Sequence, residues 1–196
     1  MYTDEEKKKQ YVWYVGYGSN LCKERFLCYI QGGRFKWGGC EARGCKDKTL
    51  PKESKPFWIP YRLYFSGKSR CWENKGVAFI YTCEEPDNNN WTVGRMWKIT
   101  REQYEEVRYQ EGSWYDNEIL LGKEDGIPIY TFTSRSKRFI CEPSEGYLKT
   151  IALGLRETIS WTAEEIFQYL EKKDGIKSKI DENKLLEIIK TAISFA

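Results

Sequence analysis

The residue order predicts an α+β fold: a small mixed, mostly antiparallel, barrel-like sheet with flanking helices. Three observations carry that prediction. Aromatic and β-branched runs bounded by turn residues fill most of the stretch from residue 11 to residue 134, as strands do. Capped, amphipathic helical patterns dominate after Pro143. Apolar residues make up 40% of the 196-residue chain and charged residues 31%, a balance that supports a buried core and argues against disorder. The length suits one domain, taken as 11–196, behind a polar N-terminal tail at 1–10.

The elements follow in order. "YVWYVGY", from Tyr11, is uncharged, aromatic and β-branched, which reads as a buried strand. Ser19 and Asn20 then offer helix N-caps, and "LCKERFLCYI" sets Leu21, Arg25 and Cys28 about a turn apart, so a helix is expected there. Residues 32–55, rich in Gly, Lys and Cys, read as loop. "YRLYFSG" and "GVAFIYT" are the next strands, the second central, and "EEPDNNN" is a turn. "WTVGRMWKI" is a further strand, in which Gly94 marks a bulge or a close backbone approach. Thr100 and Gln103 form a capping box that opens the helix "REQYEEVRYQ", and Gly112 closes it. "NEILLG" and "IPIYTFTS" pair as a hairpin through Asp125 and Gly126. Pro143 and Ser144 open a helix whose apolar face is Leu148, Ile151, Ala152 and Leu155. Thr162 and Glu165 box another helix, and a last one runs from Glu182 to Ser194.

Composition removes several function classes. Histidine is absent, so there is no Ser–His or Cys–His pair, no His-ligated zinc and no imidazole base. A proton carrier near neutral pH would have to be a tuned carboxylate, lysine, tyrosine or thiolate. The 32 basic and 29 acidic side chains are mixed along the chain, which argues against a nucleic-acid stripe. The seven cysteines lack C-x-x-C spacing, residues 1–10 lack the apolar centre of a signal peptide, and no apolar run reaches membrane length. The expectation is a cytoplasmic protein with free thiols and no membrane partner.

Two stretches carry candidate chemistry. "YVGYGSN" places glycines at a strand-to-helix turn. It fails the dinucleotide fingerprint, because Leu21 stands where the third glycine belongs, and it lacks the Gly-Lys-Ser/Thr of a phosphate loop. Two readings remain: a tight turn with an N-cap, or backbone N–H groups exposed to a carboxylate or oxyanion. In "YQEG", Glu111 falls at the C-terminal end of a helix. There the negative end of the dipole and any burial both disfavour the anion, so a raised pKa is expected if the side chain is not simply solvated. A carboxylate tuned that way can take and return a proton near pH 7.

"YVGYGSNL", "GRMWKI", "YQEG" and "PSEGYLKTIALG", in that order and spacing, resemble the γ-glutamylcyclotransferases over residues 11 to 170. The resemblance implies the fold of that family, a small mixed barrel with flanking helices. It also implies cyclisation of a γ-glutamyl group by its own α-amine, releasing 5-oxoproline and an amino acid or amine without metal or cofactor. Carried over by position, Glu111 would be the single acid/base. Tyr14, Val15, Gly16, Tyr17, Gly18 and Ser19 would line the substrate site, and Tyr147 would add a hydrogen bond to substrate. Gly16 departs from the family's usual alanine before "YGSN". The partners implied are a small γ-glutamyl substrate and, at most, a second copy in a homodimer. A non-catalytic module holding a γ-glutamyl or other small anion is the alternative.

Overall fold

The computed structural model describes residues 10–196. The tail expected at 1–10 lies outside them except for Gln10, whose carbonyl accepts from the Arg101 N–H at 2.7 Å. In chain order the strands are β1 (Tyr11–Gly16), β2 (Gly33–Phe35), β3 (Gly38–Ala42), β4 (Ser54–Ile59), β5 (Tyr61–Ser69), β6 (Lys75–Glu84), β7 (Thr92–Thr100), β8 (Asn117–Glu124) and β9 (Ile127–Thr133). The helices are α1 (Lys23–Gln31), α2 (Arg101–Glu111), α3 (Glu145–Ile159), α4 (Ala163–Leu170) and α5 (Glu182–Ile193).

β1 lies at the middle of a five-stranded sheet of order β4-β7-β1-β9-β8, antiparallel throughout except where β1 meets β9. Neighbours on both sides and packing on both faces explain why its sequence is apolar without alternation. Val12, Trp13, Tyr14 and Val15 are all buried, each such side chain stabilising the fold by about 1.5–3 kcal/mol. The long hairpin β5-β6 wraps against β9. There the Thr133 hydroxyl accepts from the Ile80 N–H at 3.1 Å and donates to the Ile80 carbonyl at 2.9 Å. The strands form a mixed, mostly antiparallel, barrel-like arrangement that does not close.

Helices cover the sheet as their patterns predict. The capping boxes at Thr100/Gln103 and Thr162/Glu165 are both formed. Leu148, Ile151, Ala152 and Leu155 of α3 are buried. Gly94 answers to a close approach, not a bulge: the β7 register runs unbroken, and a Cβ there would sit 2.5 Å from Val15 Cγ1.

Four expectations are corrected. β6, expected as a central strand, pairs with β5 in a sheet of two. Residues 32–55 are not all loop, since they hold β2, β3 and the start of the edge strand β4. These strands are short, and β4 owes its pairing to β7, about forty residues away. Ser19 and Asn20 do not cap α1. They form a 3-10 turn with Leu21, and the helix starts at Lys23 after Cys22, which makes no side-chain cap. The thiols are not all free, because Cys40 of β3 and Cys71 form a disulfide. No helix among the described residues is long and apolar enough to cross a membrane.

Candidate active site

The site is assembled where the end of β1, the Ser19–Leu21 turn and the end of α2 meet. The turn is pinned from behind: Trp97 Nε1 donates to the Asn20 carbonyl at 3.0 Å, and Trp97 stacks on Phe26 at 4.6 Å. With its main chain fixed, the Asn20 side chain turns inward. Its Nδ2 donates to the Tyr14 hydroxyl at 2.9 Å and to Glu111 Oε1 at 2.6 Å. A Cβ on Gly16 would stand 2.6 Å from Asn20 Cβ, so the glycine makes room for that inward turn.

Glu111 is the last residue of α2, and Gly112 follows it at φ +84°, a conformation that glycine adopts at little cost. The preceding residue has a different task. Gln110 Nε2 donates to the Tyr29 carbonyl at 3.0 Å, and its Oε1 accepts from the Gly44 N–H at 3.3 Å. It ties the helix end to α1 and to the chain after β3. Burial pushes the Glu111 carboxyl above the usual carboxylate range. The Arg25 guanidinium and hydrogen bonding from Asn20 and Tyr29 offset only part of that rise. The cause is mainly lost hydration.

Two spaces that share part of their lining meet at this carboxyl. A recess of about 20 Å³, room for roughly one water-sized group, is lined by Tyr14, Tyr17, Gly18, Asn20 and Phe132 among others. A wider cleft of about 370 Å³, the size of a small-molecule site, opens toward Arg25, Tyr29, Trp72 and the Cys40–Cys71 bond. Ser19, Glu111, Tyr115 and Tyr147 line both. Tyr147 is fully enclosed, and its hydroxyl accepts from the Ala78 N–H at 3.0 Å. A Cβ on Gly18 would lie 2.6 Å from that hydroxyl, which is why a glycine stands there. Tyr115 donates to the Ala78 carbonyl at 2.9 Å and stacks on Phe79 at 4.9 Å.

The residues expected from the sequence are thus mostly brought together. Tyr14, Tyr17, Gly18, Ser19, Glu111 and Tyr147 converge on the two spaces. Val15 and Gly16 line neither: Val15 is enclosed in the sheet with its carbonyl accepting from Thr131 Oγ1 at 2.8 Å, and Gly16 backs Asn20. Sequence reading missed Asn20, Arg25 and Tyr29, which it placed as a cap and helix positions. A buried arginine in the apolar spacing of α1 was the signal available. A groove of about 680 Å³ beside α5 contains none of the site residues. Among the described residues no group of three His, Cys, Asp or Glu side chains is placed to hold a metal ion.

The overall arrangement matches solved structures along nearly its whole length. A protein titled gamma-glutamyl cyclotransferase superposes with TM-score 0.58 at 21% identity, covering 93% of this chain and 99% of its own. The chain has the γ-glutamyl cyclotransferase fold. A human protein titled uncharacterized protein loc79017 superposes with TM-score 0.57 at 21% identity, covering 92% of this chain and 98% of its own. YkqA from Bacillus subtilis matches at TM-score 0.54 and 16% identity, over 86% of this chain and 57% of its own. No protein-family model matches the chain. By sequence, the chain is 33% identical over 202 residues to histone deacetylase 5 of Arabidopsis thaliana, a match covering 82% of this chain and 30% of that protein. The chain therefore spans about a third of the length of that curated relative, and the deacetylase name describes the longer protein.

Proposed function

We propose that this protein cyclises a γ-glutamyl group, releasing 5-oxoproline and an amino acid or amine. One observation carries the reading: the Glu111 carboxyl, held by Asn20, stands at the boundary of two spaces that Ser19 and Tyr147 also share. A lone buried carboxylate with a raised pKa is suited to move one proton in each direction. The likeness of fold supports the reading without specifying a substrate.

The step runs as follows. Glu111 takes a proton from the substrate's α-ammonium, and the freed amine attacks the γ-carbonyl carbon. A new C–N bond forms, and the carbonyl π electrons move to oxygen. Collapse of the tetrahedral species re-forms the carbonyl and breaks the original amide C–N bond, as Glu111 returns its proton to the departing nitrogen. The carboxylate then takes the second proton from the new ring nitrogen and passes it to the released amine, so a lactam N–H and an ammonium result. Intramolecular attack in a well-oriented pose is worth about 7 kcal/mol or more. The recess beside Gly18 and Ser19 is the size of one oxygen with its shell, and a backbone donor aimed at a developing oxyanion contributes about 3 kcal/mol. The Tyr147 hydroxyl, already accepting from Ala78, has its own proton to give to substrate. A cytoplasmic location goes with this proposal, and there the Cys40–Cys71 bond would answer to the redox poise.

The test is incubation with γ-glutamyl-alanine and assay of 5-oxoproline for the wild type and Glu111→Gln. Product from the wild type, reduced by a hundredfold or more in the variant, is expected. No product from the wild type leaves a binding module. Equal rates remove Glu111 from the chemistry.

A further inference from the structure

Among the described residues, three buried side-chain polar atoms lack any hydrogen-bond partner: Asn20 Oδ1, Arg25 Nε and Arg25 Nη1. Buried polar atoms are nearly always paired, so a cluster of exceptions marks a place where something else supplies the partner. All three belong to side chains beside Glu111. Asn20 donates to it, and Arg25 is the largest electrostatic influence holding its carboxyl down.

The chemistry of the three atoms is complementary. Asn20 spends both N–H groups on Tyr14 and Glu111, which leaves its oxygen as an acceptor with nothing to accept from. The amide cannot be turned round while Glu111 is ionised, because oxygen would then face carboxylate oxygen at 2.6 Å. Arg25 is 3% exposed, on the wall of the wider cleft, with its guanidinium 4.3 Å over the Tyr29 ring. β3 approaches it closely as well: a Cβ on Gly39 would lie 3.2 Å from Nε. Held beside that ring, the guanidinium keeps two donors without partners, and an arginine donor suits a carboxylate oxygen.

One acceptor and two donors flanking a single carboxylate fit a group that bears an ammonium and a carboxylate on the same carbon. We infer that Asn20 and Arg25 read the free α-amino-acid head of the ligand, Asn20 Oδ1 with Glu111 receiving the α-ammonium and Arg25 pairing with the α-carboxylate. This deepens the proposed cyclisation and rests on it. It assigns two binding residues and restricts substrates to γ-glutamyl compounds whose α-amine and α-carboxylate are both unmodified. Holding the carboxylate also fixes which way the amine faces, so the pair would orient the nucleophile as well as select it.

The experiment measures binding apart from turnover. Glu111→Gln is titrated calorimetrically with N-methyl γ-glutamylamide, with its des-amino counterpart and with its α-carboxamide counterpart. Loss of either head group is expected to weaken binding at least tenfold. With Arg25→Gln added, the preference for acid over α-carboxamide should vanish while the preference for the amine remains, and Arg25→Lys should restore part of it. γ-Glutamyl-alanine against γ-glutamyl-alaninamide forms the control arm. If Arg25→Gln erases discrimination there instead, the guanidinium reads the departing carboxylate and the assignment is overturned. Binding indifferent to the α-carboxylate overturns it too, and this ligand comparison needs no change at Arg25 should that variant fail to fold. The wild-type 5-oxoproline assay separates the two ideas. The predicted binding pattern without product ends the cyclisation reading alone, and product without the pattern ends this one alone.

Discussion

Asn20 Nδ2 stands 2.6 Å from Glu111 Oε1, although 91 residues separate the two in the chain. The short contact means that the orientation of the buried carboxyl is set from a turn at the far end of the sequence, and that turn is itself anchored through Trp97.

Asn20→Ala should therefore change proton affinity as well as rate. Asn20 is one of the groups that hold the Glu111 pKa down, so its loss lets burial raise it further. The acidic limb of kcat/KM, already expected above the ordinary carboxylate value of about 4.3, should move to higher pH. A pH–rate profile checks this, and an unmoved limb would mean that another group governs it.

Glu111 should also weigh on stability. Its folded pKa lies above the unfolded value of about 4.3, so between the two values the native state holds more protons than the unfolded state. Stability then falls as pH rises through that window. Glutamine escapes the penalty. Glu111→Gln should show a higher Tm than the wild type at pH 7, with the gap closing below about pH 4. Thermal unfolding across that range decides it.

Tyr147→Phe should cost stability and affinity together. The hydroxyl is the partner of the buried Ala78 N–H, and leaving that donor unpaired costs about 1–3 kcal/mol. Chemical denaturation should show the loss, and KM for γ-glutamyl-alanine should rise. An unchanged KM would confine Tyr147 to a structural role.

Breaking the disulfide should affect both the fold and the cleft. Cys40 and Cys71 are 31 residues apart, a closure worth roughly 3–4 kcal/mol by loop entropy. Because both line the wider space, Cys71→Ser or reduction should raise KM more than it lowers kcat. Peptide mapping under non-reducing conditions first checks that the bond forms.

Lys173 should act in the opposite pH direction. It is buried against the Tyr169 ring at 4.2 Å, and lost hydration lowers its pKa to about 7. Between that value and the unfolded value of about 10.4 the unfolded state binds more protons, so stability rises with pH. Lys173→Met should melt higher than the wild type at pH 7, and the two should converge near pH 10. Parallel melting curves at all pH values would contradict the assignment.

Much of the fold was legible because its signals are local. The box at Thr100 and Gln103, the periodicity of α3 and the glycine ending α2 each depend on residues within one or two turns of one another. The placement of Glu111 at a helix end was legible for the same reason. Asn20 was read as a cap because Ser and Asn before an apolar run ordinarily are caps. Its amide is instead spent on Tyr14 and Glu111, a choice that no spacing near position 20 reveals. Arg25 shared the apolar spacing of α1, but what packs against it was not legible, since Gly39 lies in a stretch that reads as loop.

By itself, the sequence determined the α+β class, most element positions, the absence of any imidazole chemistry and a lone glutamate at a helix terminus. Only the tertiary structure decided that the carboxyl is dehydrated, that Asn20 and Arg25 flank it with unmet hydrogen bonds, and that Cys40 reaches Cys71. The reason is physical. Helix and strand patterns arise from backbone geometry repeated every two to four residues, whereas desolvation and polar pairing belong to whichever distant surfaces the packed core brings into contact.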